Sequence, residues 1–443
     1  MVSITELHRL FRASSGICTD TRKPLPGGIF LALSGPRFNA NAFAAQALEK
    51  GCAYAVVDDP AVATDERFLV VPDTLKALQE LARHHRRTFA FPVIGITGTN
   101  GKTTTKELLH AVLETERATL ATEGNLNNHI GVPLTLLKLK PEHRIAIIEM
   151  GASKRGDIAE LCAIAEPTHG LITNIGKAHL EGFGSVEGVV ATKTELYAWL
   201  REHGGTVFVN GDDPLLLEKS EGIAKRITYG TGEANKLHGD FIDGPPPYLN
   251  FYFNVPSPAG VRTVPGFPNG WHCETKLVGT YNLPNALAAV AVGKYFGIPD
   301  DFITDAICSY EPANSRSQFK DTGRNQLILD AYNANPTSMA AALTNFEHLK
   351  TERPRLAILG DMLELGAVSQ AEHKGIIELC KKLGLEALFV GKEFMRAATG
   401  TDVRWFATAA DALRTLQTNP PMGRLILVKG SRGVKLEEVL AAL

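Results

Sequence analysis

Cysteine is sparse and unpatterned. The six, Cys18, Cys52, Cys162, Cys273, Cys308 and Cys380, show no Cys-x-x-Cys spacing and sit mostly in apolar or helical stretches. A zinc centre and a disulfide framework are therefore disfavoured, and reduced core thiols are expected. Basic runs are lacking as well: 46 Lys and Arg stand against 48 Asp and Glu, for a formal net charge of -2. That balance argues against nucleic acid or an anionic membrane as partner and leaves any anionic substrate to be met by local charge. No uncharged apolar stretch approaches spanning length, and Met-Val-Ser-Ile-Thr-Glu-Leu has no basic start followed by an apolar run, so a soluble cytoplasmic protein is expected. The absence of internal repeats and low-complexity tracts argues against a scaffold array. At 443 residues the chain is too long for one core and suggests two to four domains.

What is present centres on Gly95-Ile96-Thr97-Gly98-Thr99-Asn100-Gly101-Lys102-Thr103-Thr104-Thr105. Apolar Val93-Ile94 precedes it, and Leu108, Leu109, Val112 and Leu113 follow at helical spacing, which predicts a strand, a tight loop and a helix N-terminus. Such a loop turns backbone N–H groups and the positive dipole end toward a triphosphate, with Lys102 reaching the terminal phosphates and Thr103 placed for magnesium. Ile96 stands where the strict G-x-x-x-x-G-K-[ST] pattern has its first glycine, so the motif is a variant. The alternative is an ordinary glycine turn before a helix.

Three domains are expected, over 1–90, 91–312 and 313–443. The first alternates strands at 30–33, 53–57 and 68–71 with helices at 42–50 and 74–86. Its Thr19-Asp20-Thr21-Arg22 turn suits a phosphorylated ligand or is simply a capped turn. The basic residues 84–87 are read as complements to a helix dipole. In the second domain, the apolar run 145–148 ends in Glu149, a carboxylate able to reach a loop-bound magnesium or to serve as a solvated cap. The run 170–173 ends in Asn174 and leads to His179, where open α/β sheets place ligands. Lys193 and Glu195 lie on one predicted helix, and Lys193 by itself reads as a solvated lysine. Leu249, Phe251, Phe253 and Val255 alternate with polar residues, as in an antiparallel section. Asn282 and Asn285, three apart before an alanine-rich helix, either face one ligand or cap the helix. The third domain carries strands at 327–329, 356–359, 387–390 and 425–428, a Rossmann-like rhythm with polar strand ends. No Gly-x-Gly-x-x-Gly follows them, which disfavours a dinucleotide.

Collected, the phosphate loop, Glu149, the Asn174-to-His179 segment, Lys193 and the Asn282-to-Asn285 motif resemble the ATP-dependent Mur ligases of peptidoglycan precursor synthesis. Gly124-Asn125-Leu126-Asn127-Asn128-His129-Ile130-Gly131-Val132-Pro133, Asp330-Ala331-Tyr332-Asn333-Ala334-Asn335-Pro336, Gly360-Asp361-Met362-Leu363-Glu364-Leu365-Gly366 and Lys429-Gly430-Ser431-Arg432 extend the likeness over all three domains. The resemblance implies a small N-terminal α/β domain for a UDP-sugar and a central P-loop-type ATPase domain whose parallel sheet has a small antiparallel section. It also implies a C-terminal Rossmann-like domain that closes on ATP and binds an incoming dipeptide.

The implied substrates are ATP, UDP-N-acetylmuramoyl-tripeptide and D-alanyl-D-alanine, joined through an acyl phosphate by a monomer. By that likeness Gly98, Thr99, Asn100, Gly101, Lys102, Thr103 and Thr104 hold the phosphates, Asn282 and Asn285 meet the adenine side, and Arg316 and Asp330 close over the nucleotide. Two magnesium ions are implied, one on Thr103 and Glu149, the other on Glu149, His179 and Lys193 carried as a carbamate. Lys102, Glu149, His179 and Lys193 are the implied catalytic set. Asn127 and Asn128 fall near the muramoyl-peptide, Asp20, Thr21 and Arg22 near the uridine diphosphate, and Asn333 in the peptide or dipeptide region. Asn39-Ala40-Asn41 before Phe43 departs from the family's Asp-Gly-His. Competing readings are a sibling ligase adding one amino acid, a folylpolyglutamate synthase, and a non-catalytic nucleotide-binding regulator. The Asp-Asn-Pro-Arg string of the diaminopimelate-adding sibling is absent.

Overall fold

A computed structural model describes residues 1–35, 38–254, 270–312 and 316–443. The described residues build three sheets of four, nine and six strands. In the first, Ile17–Cys18, Ile29–Leu31, Tyr54–Val57 and Phe68–Val70 pair in parallel in chain order.

In the nine-stranded sheet, Val93–Thr97 lies between Ile145–Glu149 and His169–Ile172, parallel to both. All five residues of each of the first two strands are buried. That explains why they read as continuous apolar runs: helices cover both faces of a parallel sheet. The chain leaves Val93–Thr97 for the edge strand Thr119–Ala121, returns beside it, and then crosses to its other side. Strand order therefore reverses at the phosphate-loop strand, which opens a crevice at its carboxyl end.

The antiparallel section extends this same sheet. Lys225–Gly230 and Leu237–Phe241 continue it in parallel, and Tyr248–Asn254 and Gly270–Val278 pair antiparallel beyond them. Leu249, Phe251 and Phe253 are buried as the alternation predicts, but Asn250 and Tyr252 on the other face are buried too. Val255 and the junction at 313 lie outside the described residues.

The six-stranded sheet runs Gln318–Asp321, Gln326–Asp330, Leu425–Lys429, Arg355–Gly360, Ala387–Val390 and Arg404–Phe406. Its first strand is an antiparallel edge that the sequence reading did not anticipate.

Two local expectations are corrected. Residues 186–202 form two helices, Val186–Lys193 and Glu195–Glu202, because the Thr194 hydroxyl donates back to the carbonyls of Val190 (2.8 Å) and Ala191 (3.2 Å) at the break. The basic end of Thr74–Arg86 is more than a dipole complement. Arg86 is buried and donates to the carbonyls of Phe89 (2.7 Å) and Ala165 (3.2 Å), while Arg83 and Arg87 pair with Glu166. Leu78 and Leu81 of that helix share one core with Val132, Leu136 and Leu161 of the central unit. The six thiols are free, and all but Cys308 are buried. Among the described residues no helix is long and apolar enough to cross a membrane.

Candidate active site

The crevice opens into a cleft of about 920 Å³ between the central and C-terminal units, with Thr99 to Thr104 along one wall and Asp330, Tyr332, Asn333 and Lys429 along the other. Gly101 caps the helix Lys102–Glu114 at φ +79 and brings no side chain to its first-turn N–H groups. They are left for an anion. A Cβ on Gly98 would stand 2.0 Å from the Thr173 hydroxyl. Only glycine permits that approach. Asn174 fixes the loop from the next strand end, accepting from Asn100 N at 3.0 Å and donating to Asn100 O at 3.0 Å. Lys102 curls over the loop to the carbonyls of Gly98 (2.7 Å) and Thr99 (3.1 Å). Burial lowers its pKa, against the opposing pull of Glu149.

Glu149 ends its buried strand under the loop. One carboxylate oxygen accepts from the Thr103 hydroxyl at 2.9 Å, the other from the Asn127 amide at 2.8 Å. A hydroxyl and a carboxylate side by side suit magnesium, which takes one or two protein oxygens and leaves its other positions to phosphate and water. No group of three His, Cys, Asp or Glu converges among the described residues.

His179 reaches the cleft from a left-handed backbone (φ +50), and its Nδ1 contacts Glu364 of the C-terminal unit. Burial lowers its pKa, opposed by the Glu364 charge. Lys193 is no solvated lysine. It is 2% exposed, and the Phe183 ring lies 5.7 Å from its Nζ. Burial first, and the Lys102 charge next, bring its pKa down to about 7.

Asn282 and Asn285 both line the cleft; Asn282 stands at the N-cap position of the helix Leu283–Tyr295, but its side chain makes no capping hydrogen bond. Asn282 donates to Val278 O (2.8 Å), Asn285 donates to Asn282 (2.9 Å), and Thr105 donates to Asn285 (3.0 Å). Opposite, the Arg316 guanidinium lies 3.6 Å from the centre of the Tyr332 ring, and Asp330 pairs with Lys429 at 2.5 Å. Asn128 lines the cleft while accepting from Ile130 N and Gly131 N, and Asn333 lines it while accepting from Ala334 N.

The Asp20, Thr21 and Arg22 turn lies away from this cleft. Arg22 forks onto Asp20 (2.9 and 2.8 Å), and those hydrogen bonds hold the carboxyl down at about 2. A second cavity, of about 660 Å³, adjoins the turn at Thr19 and is rimmed by Lys138, Lys140 and His143. In the departing Asn39-Ala40-Asn41 segment, Asn41 is a buried tie. It donates to Asp58 at 2.6 Å and accepts from Asp58 N at 3.1 Å.

Sequence reasoning gave no role to Asn335 or Glu364. The Asn335 amide donates to Asn100 of the phosphate loop at 2.7 Å while its oxygen caps the helix Pro336–His348. The Asn-Pro pair signals the cap; nothing local signals the contact with the loop.

Residues 96–293 match the family model described as Mur ligase middle domain, and residues 315–432 the one described as Mur ligase, glutamate ligase domain. The UDP-N-acetylmuramoyl-tripeptide–D-alanyl-D-alanine ligase of Bacillus subtilis (strain 168) is 36% identical over 96% of this chain and 92% of its own. A crystal structure of MurF from Acinetobacter baumannii superposes with a TM-score of 0.86 at 32% identity, over 99% of this chain and 98% of that one. MurF from Thermotoga maritima, solved in complex with ADP, gives 0.84 at 25% identity over 96% of each chain.

Proposed function

The chain belongs to the Mur ligase family, and from that premise we propose how its residues carry out the family's chemistry. The protein is an ATP-dependent ligase that adds D-alanyl-D-alanine to UDP-N-acetylmuramoyl-tripeptide in peptidoglycan precursor synthesis. Residues 1–90 receive the UDP-sugar, 91–312 bind ATP, and 313–443 close on the nucleotide and bring the dipeptide. The reading carries with it a monomer in the cytoplasm.

A carboxylate is a poor acyl donor, so the tripeptide carboxylate first attacks the γ-phosphorus of ATP, giving an acyl phosphate and ADP. The dipeptide amine then attacks the acyl carbon, forms the amide bond and expels phosphate. Catalysis is alignment and charge neutralisation. The loop amides of Gly98 to Thr104 and the Lys102 ammonium hold the β- and γ-phosphates. Magnesium, when bound, neutralises charge developing on the transferred phosphoryl group. Thr103 and Glu149 would hold one ion; Glu149, His179 and Lys193 would face a second, with Lys193 carried as a carbamate. Asn282 and Asn285 line the adenine side, Arg316 and Asp330 cover the nucleotide, and Asn127 and Asn128 meet the muramoyl-peptide. Asp20, Thr21 and Arg22 receive the uridine diphosphate, and Asn333 the peptide or dipeptide.

The observation that carries the reading is the meeting of the Thr103 hydroxyl and the Glu149 carboxylate, 2.9 Å apart beneath a phosphate loop. The test is phosphate release from ATP with magnesium and both substrates, omitting one component at a time and weighing the product. Release that needs both, with a UDP-muramoyl-pentapeptide mass, is expected, and a Lys102→Ala variant should lose turnover. Release indifferent to either substrate would send the assignment to a sibling ligase.

A further inference from the structure

Among the described residues, five other than glycine adopt positive φ, and two of them are His179 (φ +50) and Glu364 (φ +64). These two residues, His179 from the central unit and Glu364 from the C-terminal one, contact each other. Left-handed backbone is costly for side-chain-bearing residues and persists where the surroundings impose it. Here the surroundings are the domain contact itself. Glu364 O accepts from Glu181 N at 3.5 Å, and Gly366 (φ +56) would place a Cβ 3.3 Å from the Glu181 side chain. Both backbones are bent so that an imidazole and a carboxylate meet across the interface.

We infer that Glu364 is a positioning residue that sets the orientation of His179 when the C-terminal domain closes on the central one. A carboxylate only accepts, so the Nδ1 that faces it must carry the proton. The Nε2 lone pair is then free for a cation, the arrangement that metal-binding histidines obtain from an outer carboxylate. Domain closure and completion of the imidazole's donor face become one event. In an open molecule His179 has no such partner, so ATP chemistry is withheld until the domain bearing the dipeptide arrives. The inference rests on the proposed role of His179 at the second magnesium.

The neighbouring cross-domain pair, Lys177 with Glu372 at 2.7 Å, supplies the control, because it ties the same two units without touching the imidazole. Full-length protein is titrated with manganese in the presence of a non-hydrolysable ATP analogue, and the isotope-labelled ring nitrogens of His179 are followed by NMR without substrate. Glu364→Ala should weaken manganese binding by about 10–100-fold and abolish the single-tautomer signal. Glu364→Gln, which keeps an acceptor oxygen, should recover part of both, and Glu372→Ala should change neither. An Ala variant with native manganese affinity, while His179→Gln weakens it, overturns the positioning role alone. Unchanged affinity in His179→Gln overturns the magnesium assignment beneath it. Equal losses in Glu364→Ala and Glu372→Ala reduce Glu364 to general domain docking and also overturn the inference.

Discussion

Lys193 is a lysine held where an ammonium is poorly tolerated. Its pKa is brought down to about 7, first by burial and then by Lys102, so near neutrality a large share of the amine is unprotonated and nucleophilic toward carbon dioxide. Under the proposed reading, bond formation at Nζ with loss of a proton would yield a carbamate, whose anionic oxygens would suit a hard cation as an ammonium cannot. Lys193→Ala should lower turnover by on the order of 100-fold, at the upper end of what losing a metal-supporting group costs. A small carboxylic acid added to the variant should restore part of the rate at saturating substrate. Full activity in the variant would remove Lys193 from the mechanism. Sequence could carry this residue only by family likeness. The local pattern reads as an exposed helix lysine, and its burial depends on the break at Thr194 and on Phe183 folding over it. Glu149, by contrast, was legible as a candidate, because it ends an apolar run that follows a phosphate loop; its burial beside the Thr103 hydroxyl sets aside the solvated-cap alternative.

At the scale of elements, the helix Thr74–Arg86 was readable to the residue. Asp73 accepts from Lys76 N at 2.8 Å as its cap, and Leu78 and Leu81 mark its buried face. What it docks against was not readable, since the Ala165 and Glu166 carbonyls that receive Arg86 from the central unit lie 79 and 80 positions away and carry no side-chain signature. The same helix forms a histidine contact with Ile4–Arg12: His8 Nε2 lies 3.1 Å from His85 Nδ1, and the His8 and His84 rings are 4.6 Å apart. Burial, then the neighbouring His84, His85 and Arg12, brings the His8 pKa down to about 4, below the 6.5 of a free imidazole. As pH falls, the unfolded chain therefore takes up this proton before the folded one. The stability His8 contributes is complete above about pH 6.5 and is lost between there and about pH 4. Urea midpoints measured across that window should fall less steeply for His8→Gln than for the parent. Superimposable pH dependences would show that the contact is not titrating as a unit.

Over the whole molecule, the three α/β units follow from the alternation of apolar runs and helical patterns, and closure of the third over the nucleotide was implied only by the family resemblance. The assembly of the cleft follows from contacts no periodicity encodes, such as the bond between Asn335 and Asn100, 235 positions apart. Asn335 does two separable things. Its oxygen accepts from Ser338 N at 2.9 Å, and its amide donates 2.7 Å across to the phosphate loop. Aspartate retains the first function, because it caps helices as well as asparagine does. It replaces the second with a negative charge pointed at the loop that holds a triphosphate. Asn335 is buried, and Asn335→Asp keeps the cap but gives up the bond to Asn100, so its stability should fall by about 1–3 kcal/mol, the cost of a buried polar group left without its partner. Its ATP affinity should fall about tenfold or more, equivalent to roughly 1.4 kcal/mol of repulsion, with UDP-N-acetylmuramoyl-tripeptide binding unchanged. The loss should shrink as salt rises if charge is its cause. Calorimetric titration of each substrate into the variant separates the two effects. Equal losses for both substrates would mean that the substitution has opened the cleft as a whole, whereas undiminished ATP binding would mean that the domains do not meet at Asn100 when the nucleotide is bound.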